Sequence, residues 1–128
     1  MTKQVIRTET APAPFQGAPY NQAIVANGFV FVSGQVALRP GDKELVDGGI
    51  GPQTEQVLNN LEAILIAAGS SFANLVKTTV FLQNLGDFAS MNEIYARRIG
   101  DTPPARSTVE VAKLPTGALI EIEAVATV

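Results

Sequence analysis

Cysteine and histidine are both missing from the 128 residues of the sequence. The absence of cysteine excludes disulfides and thiolate chemistry. Without either residue, Cys–His and Ser–His–Asp catalysis are impossible, and so are the usual zinc, haem and iron–sulfur sites. Any chemistry that the protein carries out must therefore use other groups.

Basic residues and long apolar runs are also scarce. Nine Lys and Arg stand against twelve Asp and Glu, which gives a net charge of -3 and an isoelectric point near 4.8. Because binding to nucleic acid requires clustered basic side chains, this composition argues against a nucleic-acid partner. No segment approaches the ~20 apolar residues that span a bilayer, and residues 1–14 lack the apolar run of a signal peptide. We therefore expect no membrane contact and a cytoplasmic location.

The stretch 36–51 could suggest a metal or phosphate site, but the motifs are incomplete. Asp42, Glu44 and Asp47 lack the glycine and terminal glutamate spacing of an EF-hand. Residues 48–52, GGIGP, lack the Gly-Lys-Ser/Thr of a phosphate-binding loop and are typical of a plain helix start with Pro52 in the first turn. We predict neither a bound metal nor a cofactor.

The patterns that are present predict one α+β domain, residues 1–128. A short strand around Val5 precedes a hairpin, because residues 23–26 and 29–33 flank the turn-forming pair Asn27-Gly28. Gly34 breaks the second hairpin strand, as a bulge or a place where a ligand approaches the backbone. Residues 36–51 are interpreted as a third short strand and a surface loop.

Two stretches with helical spacing follow, separated by a β-rich run at 76–82 that predicts a central strand. The first helix is predicted from about residue 52 to 68, with Gly69 as its stop, and the second from 88 to about 99, capped by Asp87. Together with two strands near the C-terminus, these elements predict a mainly antiparallel sheet with both helices on one face.

Those last two strands lie in residues 103–123, where the alternation has a period of two on both sides of a turn at 114–117. We predict a hairpin of neighbouring strands, with Val109 and Ile122 on the core face and Arg106 and Glu121 on the opposite, polar face. Such a polar face is either a solvated surface with ion pairs or a site that binds a small carboxylate.

The same residues resemble the Rid family of enamine and imine deaminases. The resemblance is carried by 104–115 (PARSTVEVAKLP), 120–126 (IEIEAVA), 18–23 (APYNQA), 32–35 (VSGQ), 56–61 (QVLNNL), 77–82 (KTTVFL), 87–88 (DF) and 92–95 (NEIY). It implies a chorismate-mutase-like fold and a homotrimer whose sheets form an inner barrel, with sites in the clefts between subunits. Apolar positions on the non-core face, such as Leu119 and Val125, are consistent with such an assembly.

The resemblance also assigns roles to individual residues. It implies that Arg106 grips the substrate carboxylate and that Glu121 lies near the imine and the attacking water. It further implies that Tyr20 lines the pocket, that the backbone at Gly34 contacts the ligand, and that Asn92 supports the site.

Two positions depart from the family pattern. The backbone around Thr108 is implied to contact the ligand, although many relatives have cysteine there. The loop before Tyr20 is about two residues longer than is usual, and Ala18 replaces a glycine. Any part of the site built from Tyr20 is expected to be reshaped.

The function implied by the resemblance is hydrolysis of reactive 2-imino or enamine acids, such as 2-aminoacrylate and 2-iminopropionate, to a 2-oxoacid and ammonia. These are intermediates of the kind that pyridoxal-phosphate enzymes leave, so the role is control of metabolite damage. Imine hydrolysis requires no metal, cofactor or covalent nucleophile. Two alternatives remain: a pathway-specific deaminase or hydrolase of the aminomuconate or pyrimidine-breakdown type, and a non-catalytic protein that binds small carboxylates or takes part in protein interactions.

Overall fold

Two helices and six strands are formed by residues 2–128, the part of the chain that the computed structural model describes. In chain order they are β1 (Gln4–Ile6), β2 (Ala23–Ala26), β3 (Phe29–Gln35), α1 (Ile50–Ala67), β4 (Leu75–Leu82), α2 (Phe88–Ile99), β5 (Ala105–Glu110) and β6 (Ile120–Thr127). None of the helices in residues 2–128 has the length and apolar character that crossing a membrane requires.

The strands form one sheet in the order β1-β2-β3-β6-β4-β5. Every pair of neighbours is antiparallel except β4 and β5, which are parallel. Both helices pack on the same sheet face, where Leu58 and Leu65 of α1 lie buried with Val30, Val80 and Ile122 of the sheet. Burying each such side chain contributes about 1.5–3 kcal/mol, so this layer holds the fold together. The predicted α+β architecture is confirmed.

The β2–β3 hairpin and its bulge also agree with the sequence. Asn27 and Gly28 both have positive φ (54° and 82°), as a tight hairpin turn requires, and Ala26 pairs with Phe29 beside them. On the other side of β3 the register with β6 shifts after Val32, which places a bulge at the glycine that follows.

The prediction that β5 and β6 are neighbours is wrong. β4 lies between them and pairs with both, since Thr78 is opposite Arg106 on one side and Ala124 on the other. Residues 111–119 carry the chain past β4 rather than forming a tight hairpin turn. The helix α2 connects β4 to β5, and a helical crossover of this kind is what makes two strands parallel.

One smaller expectation is also wrong, and a second is confirmed only in part. The stretch 36–51 contains no strand, only an isolated bridge between Leu38 and Leu45, because a Pro-Gly pair interrupts it. Asp87 does occupy the N-cap position of α2, as predicted, but the capping hydrogen bond expected of its side chain is absent; the side chain of Asn84 accepts a 2.8 Å bond from the N–H of Gly86 in the short turn before α2.

The sheet face opposite the helices, which we call the open face, is rich in apolar side chains. They are Val5, Ile24, Phe29, Phe31, Phe81, Val109 and Val125. Phe31 is 48% exposed, and its ring centroid lies 6.4 Å from that of Phe29. Because monomeric proteins rarely expose a large apolar patch, this face is typical of a surface that another chain covers.

Candidate active site

Arg106 lies on the helix-covered face of the sheet and is held there by aromatic rings. Its guanidinium carbon is 4.8 Å from the centroid of the Tyr95 ring and 5.6 Å from that of Phe88, both on α2. These distances are within the range of cation–π attraction. Among residues 2–128, no carboxylate lies within ion-pair distance of Arg106. Its N–H donors are therefore available to a ligand.

This position corrects the predicted assignment of sheet faces. The alternation in β5 was expected to place Val109 toward the core and Arg106 on the opposite face. The structure has the reverse: Val109 is 43% exposed on the open face, while Arg106 is half-buried against α2. The reason is that both sheet faces carry apolar residues, so an apolar side chain does not identify the face that the helices cover.

Asn92 and Thr108 lie beside Arg106. Thr108 is two residues further along β5 and has the same parity, and Asn92 lies on α2 between Phe88 and Tyr95. The Asn92 Oδ1 and Thr108 Oγ1 atoms are both buried and have no hydrogen-bond partner within residues 2–128. Leaving such an atom unpaired costs about 1–3 kcal/mol, and in native proteins such atoms are often completed by water or a ligand. We call Arg106, Asn92 and Thr108 the arginine cluster.

Glu121 lies on the opposite face from the arginine cluster. In β6 it alternates with the buried Ile120 and Ile122, and it stands opposite Phe81 on the open face. Its carboxylate fits over Gly34 at the bulge: a Cβ at position 34 would be 2.9 Å from Glu121 Cδ and closer still to Oε2. A glycine at this position therefore leaves the space in which the carboxylate sits.

The surroundings of Glu121 make its carboxyl group a weaker acid. Burial raises the pKa of Glu121, and the carboxylate of Glu123, two residues away on the same face, raises it further. A carboxyl group with a raised pKa exchanges protons more readily near neutral pH, which is useful for a general acid or base.

Tyr20 lies at the end of the loop that is about two residues longer than is usual in the Rid family. The residue is 42% exposed, and its hydroxyl oxygen accepts a 2.6 Å hydrogen bond from the backbone N–H of Phe15. That bond closes the loop around a 3-10 turn (Phe15–Gly17). Tyr20 and Gly34 line a shared cavity of about 40 Å³. We call Tyr20, Gly34 and Glu121 the glutamate cluster.

The six predicted site residues thus form two groups that one chain does not bring together. The arginine cluster faces α2, and the glutamate cluster is associated with the open face and the bulge. The sequence analysis did not identify Thr78, Phe88 or Tyr95 as part of a site. The spacing of Phe88, Asn92 and Tyr95 could have indicated their role, because i, i+4 and i+7 lie on one helix face. Residues 2–128 contain no group of three potential ligands that could hold a metal ion.

Comparison with known proteins identifies relatives over almost the whole chain. The sequence profile of the family described as endoribonuclease L-PSP matches residues 8–128. A RutC family protein of Pyrococcus horikoshii is 52% identical over 124 residues, 97% of each chain. A human protein named 2-iminobutanoate/2-iminopropanoate deaminase is 43% identical over 126 residues, covering 98% of this chain and 90% of that protein.

Solved structures agree with the sequence matches. YyfA of Yersinia pestis, described as a member of the conserved Rid protein family, superposes with a TM-score of 0.94 at 46% identity over 99% of this chain and 100% of its own. The TdcF protein of E. coli, solved with bound serine, gives a TM-score of 0.90 at 38% identity over 98% of each chain. Because the family profile and these relatives span nearly all of the described fold, the chain belongs to the endoribonuclease L-PSP family, of which the Rid proteins form part.

Proposed function

We propose that this protein is a hydrolytic deaminase of small 2-imino and enamine acids, which it converts to 2-oxoacids and ammonia. The observation that carries the proposal is the environment of Arg106, whose guanidinium lies against two aromatic rings and has no carboxylate partner in residues 2–128. A bidentate pair with the substrate carboxylate would satisfy its planar donors. The relatives named as 2-iminobutanoate/2-iminopropanoate deaminases support this choice of substrate class.

The reaction needs only groups that the chain supplies and a water molecule. Arg106 binds the carboxylate, and water adds to the carbon of the protonated imine to give a carbinolamine. Glu121 takes a proton from that water and passes it to the nitrogen. The carbon–nitrogen bond then breaks to release ammonia, while the carbinolamine hydroxyl gives its proton to the Glu121 carboxylate and becomes the carbonyl of the 2-oxoacid. The proton finally passes to ammonia, which leaves as ammonium. The raised pKa of Glu121 suits a group that must both accept and donate a proton. Asn92 and the backbone around Thr108 support the bound carboxylate, and Tyr20 and Gly34 line the other end of the pocket.

Both clusters can act on one substrate only if two chains contribute to the same cleft. We propose a homotrimer in which the apolar open faces form an inner barrel and the arginine cluster of one chain meets the glutamate cluster of its neighbour. Covering the open face would also remove exposed phenylalanine side chains such as Phe31 from water.

The assembly is tested by mass. Multi-angle light scattering at micromolar concentration is expected to give three times the 13.5 kDa mass of the chain. Dilution should not release monomers at concentrations where the enzyme is active. A monomer mass under the assay conditions would contradict the two-chain site.

The activity is tested by ammonia release from freshly generated 2-iminopropionate. An amino-acid oxidase acting on alanine supplies the imine, and a coupled assay measures ammonia against the spontaneous hydrolysis in a sample without the protein. We expect release well above the spontaneous rate. If a 2-oxoacid binds in a calorimetric titration but release is not accelerated, the protein is a carboxylate binder and not an enzyme.

A pathway-specific substrate is the second candidate, and the loop before Tyr20 favours it. The hydrogen bond from Phe15 to Tyr20 fixes that ring at the small cavity beside Gly34, which would restrict the substrate side chain. Turnover of a bulkier imine or enamine acid in preference to 2-iminopropionate would favour this candidate. The family description names an endoribonuclease, but a net charge of -3 and the lack of histidine argue against RNA as the substrate.

A further inference from the structure

We propose that Tyr95, held in place by Thr78, is a positioning residue that orients Arg106 for the substrate carboxylate. This inference rests on the proposed function, in which Arg106 binds that carboxylate. Neither Tyr95 nor Thr78 contacts the reacting atoms in this proposal. They act through the guanidinium.

The geometry links the three residues directly. Thr78 on β4 and Arg106 on β5 are opposite each other in the parallel register and share the helix-covered face. Tyr95 extends from α2 to the same place, where its hydroxyl forms a buried 2.6 Å hydrogen bond with Thr78 Oγ1. That bond fixes the ring over the β4–β5 pair, so that the guanidinium from the neighbouring strand lies 4.8 Å from the ring centroid.

An aromatic ring and a carboxylate hold an arginine side chain in different ways. An arginine side chain has much rotamer freedom, and binding a ligand through a mobile guanidinium loses affinity as that freedom is removed. A carboxylate partner would restrict Arg106 but would occupy the N–H donors that the substrate needs. The face of an aromatic ring restricts the guanidinium and attracts its charge without accepting those in-plane hydrogen bonds.

The polar pair is also difficult to explain as core packing alone. Thr78 is 1% exposed and Tyr95 is 5% exposed, so each hydroxyl is removed from water and needs the other as a partner. Two apolar side chains of similar shape would fill the same space without that requirement. The hydrogen bond instead gives the ring a defined position, which is what an orienting role requires.

The test measures substrate affinity and turnover separately in three variants. Tyr95→Leu removes the ring, whereas Tyr95→Phe and Thr78→Val keep the core volume and remove only the hydrogen bond. We expect KM, and the Kd of a non-reactive 2-oxoacid, to rise about tenfold in Tyr95→Leu and about threefold in each of the other two, the scale of a partly buried cation–π contact. The turnover number should change less than about twofold, because proton transfer by Glu121 is unaffected. The double variant Tyr95→Phe, Thr78→Val should be no weaker than either single variant, since both remove the same bond.

Phe72→Leu is the matched control, because Phe72 is a buried aromatic residue in the turn before β4, and that turn lies beside β6. It should lower the melting temperature without moving KM. If Tyr95→Leu does not fold, Tyr95→Phe and Thr78→Val decide the question by themselves. Unchanged KM and Kd in these variants, together with a large loss in Arg106→Lys, would contradict the positioning role and leave the proposed function intact. If Arg106→Lys also keeps its affinity and activity, Arg106 does not bind the carboxylate and the positioning role fails with it. The proposed function itself is wrong only if the unchanged protein does not accelerate ammonia release.

Discussion

Arg106→Lys is expected to lower kcat/KM for 2-iminopropionate by about 10- to 100-fold, while the melting temperature changes little. A lysine ammonium keeps the charge but cannot form the planar, two-bond pair with a carboxylate. The lost charge-assisted bond accounts for roughly 1.5–3 kcal/mol, which corresponds to this range of rates. Arg106 is only half-buried, so the substitution leaves no cavity in the core. Ammonia-release kinetics and thermal unfolding of the same preparation measure both quantities.

Arg97→Lys provides the matched control for that experiment. Arg97 belongs to α2, the helix against which Arg106 packs, but its side chain is exposed and pairs with Glu55 at 3.2 Å. The same chemical change at this position should leave kcat/KM within about twofold of the original, because exposed ion pairs contribute little. Near-original activity of Arg106→Lys would show that Arg106 does not bind the carboxylate.

Glu121→Gln is expected to lower the turnover number by roughly 10²-fold or more while the fold survives. Glu121 has the parity opposite to the buried Ile120 and Ile122, so the change leaves the core intact. An amide of the same shape cannot take a proton from the attacking water, and a positioned acid or base usually contributes rate factors of this size. Calorimetric titration of a non-reactive 2-oxoacid should give a Kd within a few-fold of the original, because Arg106 is untouched. A collapse of affinity with unchanged turnover at saturation would instead make Glu121 a binding residue.

The pH profile gives an independent readout of the same residue. Because burial and the Glu123 carboxylate raise the pKa of Glu121, its base form becomes the major form at a pH above the ordinary glutamate pKa of about 4.3. The rate of the unchanged protein should therefore increase with pH along an acid limb above that value, and this limb should be missing in Glu121→Gln. Glu123→Gln is the control, and its turnover at the pH plateau should be preserved. Removing the negative charge of Glu123 lowers the pKa of Glu121, so the acid limb of this variant should move to lower pH.

Local features of the fold could be predicted from the sequence, and pairings between distant strands could not. Asn27-Gly28 specifies a hairpin turn through its own backbone preferences and so predicts β2 and β3. Gly34 predicts either a bulge or a close approach of a ligand, and the structure shows the bulge. The position of β5 depends instead on the path of residues 111–119 past β4, for which short-range patterns contain no signal.

For the candidate site, the sequence indicated which residues take part but not which face of the sheet they lie on. The resemblance to the Rid family indicated Arg106 and Glu121. The alternation of β5, however, assigned Arg106 to the wrong sheet face, because Val109 is apolar and yet points away from the helices. Tyr95 has the spacing of an ordinary core residue, and only its contacts in three dimensions distinguish it from one. A period of two or 3.6 predicts which residues share a face, and it does not predict what lies against that face.

The placement of Arg106 and Glu121 on opposite sides of one sheet has a genetic consequence. In the proposed trimer each cleft takes Arg106 from one chain and Glu121 from the next, so a trimer of chains that all lack Arg106, or that all lack Glu121, has no complete cleft. When the two kinds of chain assemble into a mixed trimer, one kind of cleft combines the intact Arg106 of one chain with the intact Glu121 of the other. That cleft has both residues. Two alleles that are each inactive alone would then restore part of the activity when they are expressed together.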